Sequence, residues 1–113
     1  MDDPMISITT HILDTVLGKP AAGVPVHLHF LERGEWKQIA ASTTDSDGRC
    51  RDLGTLTHAG TYRLTFDVRH YFTLQNRECL YPEICIVAYI QPDQYYHLPL
   101  LLSDNSYTTY RGS

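Results

Sequence analysis

The chain has 113 residues, 42% hydrophobic and 19% charged, with a net charge of −4, a composition that suits a single globular domain over residues 1–113 with residues 1–5 expected to be flexible. Its basic residues are scattered, which argues against a nucleic-acid partner, and no apolar run approaches the ~20 residues of a membrane span. Cys50, Cys79 and Cys85 are odd in number and lack a C-x-x-C spacing, and the start "MDDPMISI" has no secretory pattern, so free thiols and a cytoplasmic location are the expectation.

The first element is "ISITTHIL", which alternates strictly: Ile6, Ile8, Thr10 and Ile12 share one face, and Ser7, Thr9, His11 and Leu13 the other. "GKPAAG" breaks the chain with Gly18, Pro20 and Gly23. "VPVHLHFLE" resumes with Val24, Val26, Leu28 and Phe30 inward, "RGE" marks a hairpin around Gly34, and "WKQIAASTT" returns. "DSDGR" is a polar turn around Gly48, and after a loosely patterned stretch "GTYRLTFDV" alternates again. "RHYFTLQN" predicts a short helix of about two turns. "EICIVAYI", "YYHLPLLLS" and "SYTTYR" complete the set of strands. These runs, turn signals every 8–12 residues or so and at most one helix predict an all-β, two-sheet antiparallel sandwich of eight strands.

The chemistry-bearing residues lie on particular faces. In "HLPLLLS" the core side is Leu98, Leu100 and Leu102, which turns His97, Pro99, Leu101 and Ser103 to the opposite face. That face mixes polar and apolar groups, as Leu13 does beside His11, and such a surface on a small sandwich suits coverage by another subunit. A chain of this size buries only about two-thirds of its unfolded surface, so a site between subunits is easier to build than an interior cavity. Histidines are suited to serve as general bases there, though hydrogen-bonded strand histidines give the same pattern. His27 and His29 form an H-x-H pair able to chelate a metal, but no third ligand is near in sequence and exposed-face histidines account for the pair. Arg49, after Gly48, reads equally as a solvated turn arginine. No nucleophile elbow or phosphate loop occurs.

Taken together, "THILDTVLGKPAAGVPVHL", "TDSDGR", "GTYRLTFDV", "YPEI", "YHLPLLLS" and the terminal "YTTYRGS" resemble the 5-hydroxyisourate hydrolase family of transthyretin-like proteins. The likeness runs from about Ile6 to Ser113, and the closing Y-R-G-S is its most specific mark, since the hormone-carrying transthyretins lack it. The resemblance implies a transthyretin-like sandwich and a homotetramer, a dimer of dimers with active sites in the channel between dimers. It implies hydrolysis of 5-hydroxyisourate in urate degradation with no metal or organic cofactor, the alternative being a non-catalytic carrier of small ligands. Matched motif by motif, it implies His11, Arg49, His97 and Ser113 as catalytic residues, and Tyr110, Arg111 and, more weakly, Thr108 as substrate-binding ones. It also allows a peroxisomal location in a eukaryote, although R-G-S is not the S-K-L type of address.

Overall fold

A computed structural model describes residues 6–56, 58–91 and 94–113; the expectation for residues 1–5 falls outside them. Two sheets pack face to face. One has the order β4(Glu35–Thr43)–β3(Pro25–Glu32)–β7(Gly60–Asp67)–β8(Glu83–Ile90) and is antiparallel throughout. The other is assembled around β1(Ile6–Asp14). Along one side of β1 lie three two-residue pieces, β2(Lys19–Pro20), β5(Arg49–Cys50) and β6(Thr55–Leu56), all antiparallel. Along the other run β9(Tyr95–His97) and β10(Leu100–Leu102), with β11(Tyr107–Thr109) outside β10.

The inward residues meet as the alternation requires. Ile8 and Ile12 from β1, Val26 and Leu28 from β3, Leu64 and Phe66 from β7, Ile84 from β8, and Leu100 and Leu102 from β10 are all buried in one core. Each such aliphatic or aromatic side chain contributes about 1.5–3 kcal/mol relative to leaving it in water. The hairpin between β3 and β4 turns through Arg33 and Gly34 at φ 52° and 78°, the left-handed pair that a two-residue turn needs to match strand twist.

The structure corrects four local expectations. β1 runs parallel to β9 and β10, so the sheet that carries β1 is mixed rather than antiparallel. The run "YYHLPLLLS" is two strands, because Leu98 and Pro99 interrupt it; proline has no N–H for a ladder, and Pro99 is buried rather than on the mixed face. Counting β5 with β6 and β9 with β10 as interrupted strands recovers the expected eight, with β2 as an addition. The helix α1(Arg69–Thr73) is shorter than two turns, with turn hydrogen bonds continuing to Asn76 and Arg77. The last strand stops at Thr109, one residue short of Tyr110.

Candidate active site

The outer face of the β1 sheet gathers the predicted residues through its register. On β1, Thr9 pairs with His97 of β9 and His11 pairs with Arg49 of β5. Paired residues put their side chains on the same face, so His11, Arg49 and His97 share one surface, with Thr9 beside His97 in the row next to His11. Successive residues of that face are about 7 Å apart along the strand, a span that one small heterocycle can bridge. Leu13 and Leu101 are paired farther along the same face, and Thr108 pairs with Leu101. Thr108 thus stands one pair beyond the histidines, at the apolar end of the face.

Arg49 is delivered by a tightly built turn. Gly48 has φ +75°, and a Cβ there would lie 2.5 Å from the Ile12 carbonyl oxygen and 3.0 Å from Cβ of Pro20. Only glycine admits both the left-handed conformation and that approach. The Ile12 N–H donates to the Gly48 carbonyl at 2.8 Å, and the Asp45 carboxylate accepts the backbone N–H groups of Asp47 and Arg49 at 2.9 and 3.0 Å. Those hydrogen bonds, that of Arg49 foremost, hold the Asp45 carboxyl below its ordinary pKa.

Thr9, Thr10, Arg49, Arg51, Tyr95 and His97 line a cleft of about 170 Å³, with His11 beside it. Nδ1 of His97 is 2.9 Å from Oγ1 of Thr9, which is also 2.9 Å from the Tyr95 hydroxyl. Nε2 of His11 is buried without a hydrogen-bond partner. Burial lowers the pKa of His97, and the neighbouring Arg49 and His11 lower it further. The imidazole is therefore neutral at physiological pH, the state in which it can act as a base or as a neutral donor. Larger clefts exist, one of about 220 Å³ among Phe30, Leu56 and Tyr62 and one of about 430 Å³ among Glu78, Leu80 and Asp104. Neither brings two histidines and an arginine together, so chemistry rather than size selects the β1 face.

The C-terminal residues return to this site. Gly112 forms an antiparallel bridge to His97, its N–H donating to the His97 carbonyl at 2.7 Å. Ser113 follows directly and is exposed. Arg111 is turned to the strand rather than the open cleft: its guanidinium lies 4.2 Å from the Tyr96 ring centroid and donates to Oε1 of Gln94 at 2.9 Å and to the Tyr95 carbonyl at 3.2 Å. It fastens the tail. Tyr110 is 53% exposed. Sequence reasoning missed Thr9, Tyr95, Arg51 and Gln94. Thr9 and Tyr95 had a readable signal, each lying two residues from a histidine on the same strand face.

His27 and His29 lie on the outer face of the other sheet, His29 paired with Arg63. Burial lowers the pKa of His29, and the Arg63 charge and His27 add to this. A guanidinium beside the pair disfavours a bound cation. Among the described residues no group of three or more His, Cys, Asp or Glu is placed to hold a metal ion.

A model of the HIUase/Transthyretin family matches residues 8–112. The chain is similar to 5-hydroxyisourate hydrolase of Mus musculus, 44% identical over 111 residues that span 94% of each chain. It is also similar to the solved structure of Klebsiella pneumoniae 5-hydroxyisourate hydrolase, with a TM-score of 0.83 and 34% identity over 95% of this chain and 99% of that one. Sea bream transthyretin in complex with thyroxine superposes with a TM-score of 0.89 and 35% identity over 94% of each chain.

Proposed function

The chain belongs to the HIUase/Transthyretin family, and we propose that within it this protein hydrolyses 5-hydroxyisourate to 2-oxo-4-hydroxy-4-carboxy-5-ureidoimidazoline, a step of urate degradation. The observation that carries the reading is the convergence of His11, Arg49 and His97 on one sheet face, with the terminal residues bridged to His97. Backbone similarity alone does not separate enzyme from carrier, since the thyroxine-bound transthyretin superposes at least as well as the hydrolase. The enzyme reading is supported by the hydrolase relatives, at 44% identity in Mus musculus, and by the two histidines and the arginine on this face.

Water attacks a carbonyl carbon of the six-membered ring, its oxygen bonding to carbon as one of the histidines takes its proton. The C–N bond then breaks, the carbon leaving as a carboxylate and the nitrogen, protonated, becoming part of the ureido group. The second histidine holds the water or donates to the departing nitrogen. Arg49 presents a planar fork of donors to an oxygen-rich, partly anionic ring and stabilises the charge that grows on the attacked carbonyl oxygen. Ser113 supplies a hydroxyl at the rim, and Tyr110 an exposed ring; Thr108 marks the far edge of the face. Arg111 acts by holding the tail in place.

The functional assembly in this reading is a homotetramer, a dimer of dimers whose β1 faces line a channel, with the protein resident in the cytoplasm. A cleft of about 170 Å³ is smaller than the ~300–1,000 Å³ of typical small-molecule sites, and a facing subunit would complete it. Light scattering coupled to size exclusion tests the assembly. The activity is tested by generating 5-hydroxyisourate from urate with urate oxidase and following its ultraviolet decay. Decay faster than the spontaneous rate at micromolar protein is expected; an unchanged rate overturns the reading.

A further inference from the structure

We propose that Thr9 is a positioning residue of this site, its hydroxyl fixing His97 in the tautomer that leaves Nδ1 unprotonated and presents an Nε2 N–H to the cleft. The inference rests on the hydrolase reading and assigns the division of labour that reading leaves open. Oγ1 of Thr9 lies 2.9 Å from both the Tyr95 hydroxyl and Nδ1 of His97. A threonine hydroxyl carries one proton, so it gives to one neighbour and receives from the other.

Relative acidity decides which. A phenol, with a pKa of about 10, is a better donor than an alkyl alcohol, and a neutral imidazole nitrogen is a better acceptor than a phenol oxygen. The run Tyr95 O–H to Thr9 Oγ1, then Thr9 O–H to His97 Nδ1, starts on the strongest donor and ends on the strongest acceptor, so each bond polarises the next. The reverse order would spend the phenol as an acceptor. Thr9 is also suited to hold its place, since branching at Cβ restricts its χ1 and the parallel register sets it directly beside His97. The lowered pKa of His97 fits, because an imidazolium would have to donate from Nδ1.

With Nε2 bearing the proton, His97 is the donor of the pair, placed to steady the water or protonate the departing nitrogen. His11 is then the base, and its buried Nε2 has no protein partner to satisfy it.

Two-bond ¹H–¹⁵N spectra of histidine-labelled protein near neutral pH report the tautomer without reference to activity. The expected spectrum has His97 Nδ1 at an unprotonated shift and Nε2 at a protonated one. T9V keeps the side-chain shape without the hydroxyl; it is expected to mix the tautomers and lower kcat at least about tenfold, with KM within about threefold. T9S is expected to restore the single tautomer and most of the turnover. A wild-type His97 protonated at Nδ1, or a T9V protein with unchanged tautomer and kcat, overturns the proposal. Should T9V not fold, Y95F serves, with a partial loss of tautomer preference expected and an unchanged spectrum counting against it. A protein with no hydrolase activity defeats the functional reading, while the wild-type spectrum still decides the tautomer.

Discussion

Gly112 lies so close against His97 that a Cβ on it would stand 2.8 Å from the imidazole Cδ2. The tail is thus packed on the ring as well as hydrogen-bonded to its backbone. G112A must move the ring, which misplaces His97, or lift the tail, which misplaces Ser113, the next residue. Hydrolysis is expected to fall at least about tenfold while stability changes by less than about 1 kcal/mol, as for most surface substitutions. Decay assays and thermal melts measure both, and a G112A enzyme with wild-type turnover would show that the tail is a bystander.

The pKa of His97, lowered by burial, by Arg49 and by His11, sets a direction for pH dependence. Below its ordinary value of 6.5, the unfolded chain binds the proton more readily than the native one, so stability rises with pH across that window and levels off above it. For activity, the neutral ring persists to pH values under 6.5, and the acid limb belonging to His97 lies there. R49Q removes one of the charges that disfavour the imidazolium, so the His97 titration followed by NMR should move upward. A downward shift or none would mean that Arg49 points its charge elsewhere.

The parts of this site differ in how far the sequence exposes them. His11 and His97 were readable as face residues because β alternation has a period of two and survives without tertiary information. Their proximity was not, since it depends on β1 pairing in parallel with a strand nearly ninety residues away. The Thr9–Tyr95 contact is a consequence of the same register. β2, β5 and β6 are two residues each, too short to show a pattern, and exist because β1 offers them an edge. Pro99 broke the alternation that assigned its face. The contacts of Arg111 with the Tyr96 ring and with Gln94 depend on the same strand placement and leave no mark in the sequence.

Gly48 offers a test of how the turn serves the site. In G48A the new methyl would lie 2.5 Å from the Ile12 carbonyl oxygen, in a left-handed backbone conformation. The bond from Ile12 N–H to the Gly48 carbonyl would be strained with it. A destabilisation of about 1–3 kcal/mol is expected from the backbone conformation alone. Because Arg49 is the next residue, turnover of the folded fraction should drop as well. A melt near wild type with full activity would indicate that the turn relaxes freely.

Asp14 ends β1 in a buried ion network that bears on stability rather than chemistry. Its side chain is 0% exposed and accepts from Nη1 of Arg77 at 2.7 Å and from the Tyr71 hydroxyl at 2.8 Å, while the N–H groups of Val16 and Leu17 donate to the other oxygen at 3.1 Å. Arg77 also pairs with Asp104, tying β1 to the residues after α1 and to the turn before β11. Burial alone would raise the Asp14 pKa; the hydrogen bonds from Arg77, Leu17 and Tyr71 outweigh it and leave the carboxyl below its ordinary 3.8. A depressed carboxyl stabilises the fold above its unfolded pKa, and that contribution is lost as pH falls through the native value. D14A leaves Arg77 with Asp104 as its one carboxylate partner and strips the Tyr71 hydroxyl and the Val16 and Leu17 N–H groups of their acceptor, which should cost about 3–5 kcal/mol, a large share of the ~5–15 kcal/mol that holds a domain folded. Urea melts at neutral pH should show that loss in wild type against D14A, and the gap should narrow as pH falls below about 4, where the Asp14 carboxyl of the unfolded chain binds a proton more readily than the native one. A gap that stays constant down to strong acid would mean the network is held by packing and not by charge.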